Sequence, residues 1–351
     1  MSATRYTQTI TDHGELLANI PAILGFYPKN SVLLTLFTFN EEHQTLRLGP
    51  VARLDLDKAV ERLRDDAHGF AAWFDEINVV SSMVYIVADD IDDPHFDPRI
   101  QQLISFLGGT YSPVPGVLAV VHTAQISTDE PWQALYHSDY LDGHPLNGAI
   151  SEITASAAMQ HMINDTGQIP ELDRDDMTAL LNSTDHGLDE DVYADIIKDV
   201  ETFTLSTPVQ ELQREYERAC MGLDEPANPS AIRAGLKCFT APKLRDPLIA
   251  ALLDKPHRGF AFMQQLMRTV PPSWSSMRSR TTAVLAIMAH ATEQSGLACN
   301  AARHAVQINS DEPLSKLVAQ ITVIGKGDNL VKTAYKGGNE ARKKLFGFDQ
   351  E

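Results

Sequence analysis

The sequence predicts two domains of different class: a mixed-sheet α/β domain over residues 10–182, followed by an all-α, tetratricopeptide-like helical domain over residues 183–345. Three observations carry this expectation. At 351 residues the chain is long for a single core. Up to about Asn182, strand-like runs alternate with stretches of helical periodicity, the pattern of an α/β layer. Beyond Thr184 the strand signals cease and the punctuation is purely helical.

The elements follow in order. Asp12 is placed as an N-cap with Glu15 three residues on, so a short helix begins there. Pro21 fits the first turn of a second short helical segment, and Gly25 its left-handed end, with Phe26 as the accompanying apolar contact. Tyr27-Pro28-Lys29-Asn30 reads as a β-turn leading into a nearly all-apolar strand, Ser31 to Phe39. Leu46 to Leu54 returns antiparallel to it across the polar loop Asn40 to Gln44. Asp57 caps a helix to about Phe74, with Ala59, Val60, Leu63, Phe70 and Phe74 on one face. Ser82 to Ala88 is a buried strand, Asp97-Pro98 opens a helix that stops at Gly108-Gly109, and Val117 to Val121 is the next strand. Gln125 to Tyr136 suits a hairpin of two short β-prone pieces at the sheet edge, and Gly148 to Asn164 a helix.

In the second half Thr207-Pro208-Val209-Gln210 is a capping box, and Asn228-Pro229 and Asp246-Pro247 repeat the device of a cap followed by proline. These starts predict roughly six to eight helices. Leu285 and Ala286, with Ala298, Ala302, Ala305 and Ser310, match the spacing of one tetratricopeptide repeat. A solenoid needs about three repeats to bury a core, so a single repeat predicts one helical hairpin inside a compact helical domain.

The run Leu16-Leu17-Ala18-x-x-Pro21-x-x-Leu24-Gly25-Phe26-x-Pro28-x-x-Ser31-Val32, then Ala52-Arg53-Leu54-Asp55-Leu56, resembles the opening of an actinobacterial family known only as a domain of unknown function. The resemblance extends to Gly143-x-Pro145-Leu146 and to the Ala-rich helices after Thr281. It implies an actinobacterial, cytoplasmic protein and transfers no catalytic residue. In that family cysteines often precede Gly-x-Pro-Leu, whereas Tyr136-His137-Ser138 stand here.

Composition excludes some classes. The formal net charge of -18 opposes binding to a phosphate backbone, which depends on Lys and Arg displacing counterions, so no nucleic-acid partner is expected. No apolar run reaches the length of a membrane span, and the N-terminus lacks the apolar core of a signal peptide, so no membrane partner and a cytoplasmic location are expected. Cys220, Cys238 and Cys299 are odd in number and far apart, which predicts buried, reduced thiols. Acid is densest from Asp165 to Glu201, a solvated face or a docking surface for a basic partner.

No Gly-x-Gly-x-x-Gly after a strand, no phosphate-binding loop, no His-Glu-x-x-His and no Gly-x-Ser-x-Gly occurs. The best candidates are Asp89, Asp90 and His95, directly after a buried strand. Carboxylates beyond the ends of parallel strands can hold Mg²⁺, and they also simply cap the next helix. His137, Asp139, Asp142 and His144 place four N and O donors within eight positions, a weak metal-site pattern that needs its loop folded around the ion. Ser31 would act as a nucleophile only with a positioned base such as His122; otherwise its hydroxyl satisfies the turn. Two functions remain. One is a protein-interaction or regulatory protein whose helical domain binds a protein partner; the other is a metal-dependent hydrolase or nucleotide-binding enzyme using the strand-end carboxylates. No cofactor is specified.

Overall fold

The structure is a computed structural model describing residues 12–40, 45–166, 169–203, 209–323 and 325–347. The expected loop from Glu41 to Gln44 and the expected helix start at Thr207-Pro208 lie outside those residues. The chain forms two compact units, residues 1–174 and 175–351.

The first unit opens with α1 (His13–Leu24). The Asp12 carboxylate accepts from the Glu15 amide at 2.8 Å, and Gly25, at φ 80°, donates its N–H to Pro21 O at 2.8 Å. Both caps are those the sequence predicts. The two helical segments are instead one, because Pro21 forfeits a single hydrogen bond while His13, Leu16, Leu17, Ile20 and Leu24 are all buried by keeping the helix whole. The chain then builds β1 (Ser31–Asn40), β2 (Thr45–Asp55), α2 (Ala59–Asp65), α3 (Ala67–Glu76), β3 (Val79–Val87), α4 (Pro98–Leu107), β4 (Val117–Thr123), β5 (Pro131–His137), β6 (Asn147–Ala149) and α5 (Ala157–Thr166).

The sheet order is β2-β1-β3-β4-β5-β6. Only β3 and β4 run parallel; every other neighbour is antiparallel, so the sheet is mixed as predicted. Alternation divides its two faces. Val32, Leu34, Leu36, Val84, Ile86 and Val120 join Leu63, Phe74, Ile100 and Leu103 from α2, α3 and α4 in one core. The intervening Leu33, Tyr85 and Val121 are equally buried on the opposite face, where His13 of α1 meets Tyr85.

Three local expectations change. The single helix from Asp57 to Phe74 breaks at Asp66, which leaves helical backbone (φ -115°, ψ 34°) and lays its carboxylate over the first turn of α3, where Gly69 gives it room. The predicted edge hairpin is β4 with β5, and its second partner β6 takes residues 147–149. Gly148 lies so close to the Trp132 ring that a Cβ would come within 2.8 Å, so the Gly148 to Asn164 helix begins only at Ala157.

The second unit begins within the first turn of α6 (Arg174–Asn182) and continues with α7 (Glu190–Thr202), α8 (Val209–Cys220), α9 (Pro229–Thr240), α10 (Pro242–Asp254), α11 (Pro256–Thr269), α12 (Ser275–Ala291), α13 (Ser295–Ile308), α14 (Pro313–Val323) and α15 (Gly327–Phe346). These exceed the expected six to eight. Asn228 caps α9 as predicted, its side chain accepting from Ser230 and Ala231, whereas Pro247 lies inside α10, which starts at Pro242. The stretch with tetratricopeptide spacing is α12 and α13, tied where Ser279 Oγ donates to Ala305 O at 2.7 Å, with Ala298, Ala302 and Ala305 buried between helices. All three cysteines are free thiols; Cys238 is buried, Cys220 half-buried and Cys299 exposed, which corrects the expectation for Cys299. No helix among the described residues is long and apolar enough to cross a membrane.

Candidate functional site

The parallel pair β3 and β4 ends with Ile86 opposite His122 and Val87 opposite Thr123, and Ser31 stands opposite Val87 from β1. Ser31, His122, Asp89 and Asp90 therefore share one end of the sheet. They do not form one site. Ser31 alternates with Val32 and His122 aligns with Val120, so the sheet separates them. The Ser31 hydroxyl is fully buried, donates to Lys29 O at 2.6 Å and accepts from Arg53 Nε at 2.9 Å, an arrangement that braces the turn into β1. His122 is buried with Nε2 3.1 Å from Ala88 O, where the imidazole N–H donates to the carbonyl. Burial pushes its pKa below the ordinary 6.5.

Asp90 is held by a residue the sequence reading passed over. Arg99, in the first turn of α4, pairs with Asp97 at 2.9 Å, with both oxygens of Asp90 at 3.0 and 3.2 Å, and with Asp57 at 3.2 Å. The guanidinium holds the Asp97 carboxyl below its usual range, and Asp97 in turn raises Arg99. The available signal was Arg99 standing as the single Lys or Arg in an Asp-rich run. Asp89 and His95 are exposed, with the His95 amide donating to Asp93 at 2.9 Å.

The four expected metal donors do not converge. Asp139, Asp142 and His144 are exposed, while His137 stands opposite Ala119 on the α1 face with Nε2 buried and unpartnered. Among the described residues, no three His, Cys, Asp or Glu side chains are grouped so as to hold a metal ion. His137 and His144 act instead on His13. That ring has Nδ1 2.9 Å from the Tyr85 hydroxyl and lies edge-on to Trp132 at 5.0 Å. Burial lowers the His13 pKa to about 4, and the charge of His137 adds to the effect. The signal for His13 was its spacing from Leu16, Leu17 and Ile20 on the buried face of α1.

The helical unit contributes an open cleft of about 380 Å³ where the end of α7 faces the start of α12. Val200, Glu201, Thr240, Trp274, Ser275, Met277 and Arg280 are among its lining residues. Arg280 is spoken for: its guanidinium grips Glu312 at 3.1 and 2.9 Å and donates to Phe239 O at 2.6 Å. Glu201 is exposed and makes no ion pair among the described residues. Nothing in the sequence alone joins Glu201 to Trp274.

Residues 14–326 match the family described as Domain of unknown function (DUF4192). The chain belongs to that family. The DUF4192 match spans the sheet, the strand-end cluster and the cleft, and stops just before α15. It contains the Leu16 to Val32 pattern, whose Gly25 and Tyr27 exchange backbone hydrogen bonds with Glu171 at 2.9 and 3.0 Å. Comparison with curated proteins and with solved structures returned no match.

Proposed function

We propose that this DUF4192 protein is a cytoplasmic protein-interaction or regulatory module without catalysis of its own, and that its helical unit carries the binding face. The observation that carries this reading is the cleft between α7 and α12: its volume falls within the range of about 300–1,000 Å³ usual for binding pockets, and it combines apolar, hydroxyl and charged groups. The strand-end groups support it further. Ser31, His122 and Asp90 each have an internal partner, so each would need to be released before it could act on a substrate. The α/β unit then serves as scaffold. A nucleic-acid partner is disfavoured by the net charge of -18.

The alternative, a metal-dependent hydrolase or nucleotide-binding enzyme, rests on the exposed Asp89 beside Asp90. One experiment separates them. Full-length protein is used as bait in its wild-type form, as Asp89→Asn/Asp90→Asn, and as Ser275→Trp, which fills the cleft from an exposed position. The interaction reading expects captured partners to survive the double Asn variant and to fall about tenfold with Ser275→Trp. The reverse pattern, or a Mg²⁺-dependent activity abolished by the double Asn variant, would transfer the case to the enzyme.

A further inference from the structure

Glu201 is misplaced as far as folding is concerned. It occupies the last turn of α7, which has no basic residue, and there the carbonyl end of the helix dipole disfavours a negative charge. Its neighbours Asp195 and Asp199 are accounted for by Arg233 and Lys237, at 2.5 Å for Asp195 to Arg233 and 2.7 Å for Asp199 to Lys237. Glu201 has no such cation among the described residues and is an exposed member of the cleft lining. The half-buried Trp274 lines the same cleft, and an indole is the aromatic ring best suited to a cation. Thr240 and Ser275 supply hydroxyl oxygens that accept from N–H donors. The one cation of the lining, Arg280, is already neutralised by Glu312.

We infer that the α7–α12 cleft takes a Lys or Arg side chain from an extended basic segment of a partner protein, held between the Glu201 carboxylate and the Trp274 indole. The inference rests on the interaction reading above and names the chemistry of the partner. Charge complementarity favours it at long range too: a chain of net charge -18 draws a basic segment in and repels an acidic one. The start of α12 with its serines is the feature that would favour an anion, and an acidic segment is therefore the competing occupant in the test.

The test titrates the full chain with an octapeptide of alternating arginine and alanine, and with its glutamate counterpart, following tryptophan emission and heat. The arginine peptide is expected to bind and the glutamate peptide not. Glu201→Gln should weaken binding about tenfold, the loss of one charge-assisted contact, and Trp274→Phe should weaken it and remove the emission change. Asp89→Asn/Asp90→Asn, which removes two negative charges where Glu201→Gln removes one, should leave the affinity nearly unchanged. Equal weakening by the double Asn variant would reduce the effect to bulk charge and overturn the inference. Binding of the glutamate peptide, with the same dependence on Trp274, would also overturn it while leaving the interaction reading in place. Binding of neither peptide overturns it as well, and capture by the bait decides the interaction reading separately. Glu201 is exposed and its charge is disfavoured at the helix end, so a melting midpoint for Glu201→Gln that is not lowered verifies that the variant is folded.

Discussion

His13 shows how much one residue can carry that its neighbours in sequence do not announce. Its ring is buried against Tyr85 and Trp132, and its pKa is lowered to about 4. Above the ordinary value of 6.5 the ring is neutral in both folded and unfolded chains, so it contributes nothing to the pH dependence. As pH falls from 6.5 toward 4, the unfolded chain takes up a proton that the folded chain refuses, and stability declines by an amount on the order of 3 kcal/mol. Chemical denaturation between pH 7 and 4 should reveal this slope, and His13→Gln should flatten it; an unaltered slope would show that His13 is not the residue responsible. At this scale the sequence was legible at several local caps, though not at Asp57, which caps no helix, or at Asp246, which lies inside α10. Asp12, Gly25, Asp97 and Asn228 cap what their neighbours predict, because a cap needs only the next two or three residues. Ser31 draws Arg53, and Arg99 draws Asp57, from well away in the chain, and Glu201 meets Trp274 only in the fold, which spacing along the chain does not record.

Elements were legible where their periodicity was long and clean. β1, β3, α4 and β4 fall close to their predicted bounds, while boundaries moved where packing outweighed a local preference. Pro21 and Pro247 are tolerated within helices because each forfeits one backbone bond while the helix around it keeps an apolar face buried. The opposite occurs at Asp66, where two adjacent acids interrupt a periodicity that otherwise continues. Helix ends that have no cap from their own sequence are satisfied from afar. Arg278 is buried, with no carboxylate in hydrogen-bond contact among the described residues, and donates to Val270 O at 2.9 Å beyond α11 and to Leu181 O, Asn182 O and Ser183 O at 3.2, 2.9 and 3.3 Å at the end of α6. Arg278→Met keeps much of the volume and leaves those carbonyls without their donor. A loss of about 2–4 kcal/mol is expected in urea unfolding, with Arg278→Lys recovering only part of it because an ammonium lacks the planar fork. A change below about 0.5 kcal/mol in the methionine variant would show that solvent replaces the guanidinium.

For the whole molecule, the class of each half was readable because strand-like runs, interleaved with helical periodicity, occur only in the first half, and among the described residues the helix-covered sheet core (Val32 to Val120) and the helical core (Leu181 to Leu330) share no residue. The candidate cleft was not readable, since it joins the end of one helix to the start of another far along the sequence. Separate cores predict separate cooperative units, and one glycine in each tests this. Gly25 holds φ 80°, so Gly25→Val strains the turn that feeds β1 by about 1–3 kcal/mol. Gly338 lies where α15 meets α10, and a Cβ there would approach Asp246 O to 2.4 Å and the Ala250 methyl to 2.8 Å, so Gly338→Val must force the two helices apart. Amide hydrogen exchange should then report two patterns. Gly25→Val is expected to deprotect β1, β3 and β4 while α9 to α13 keep their protection, and Gly338→Val to do the reverse. Loss of protection throughout the chain in either variant would mean that the two cores unfold as one, and that the helical unit cannot be perturbed without the sheet.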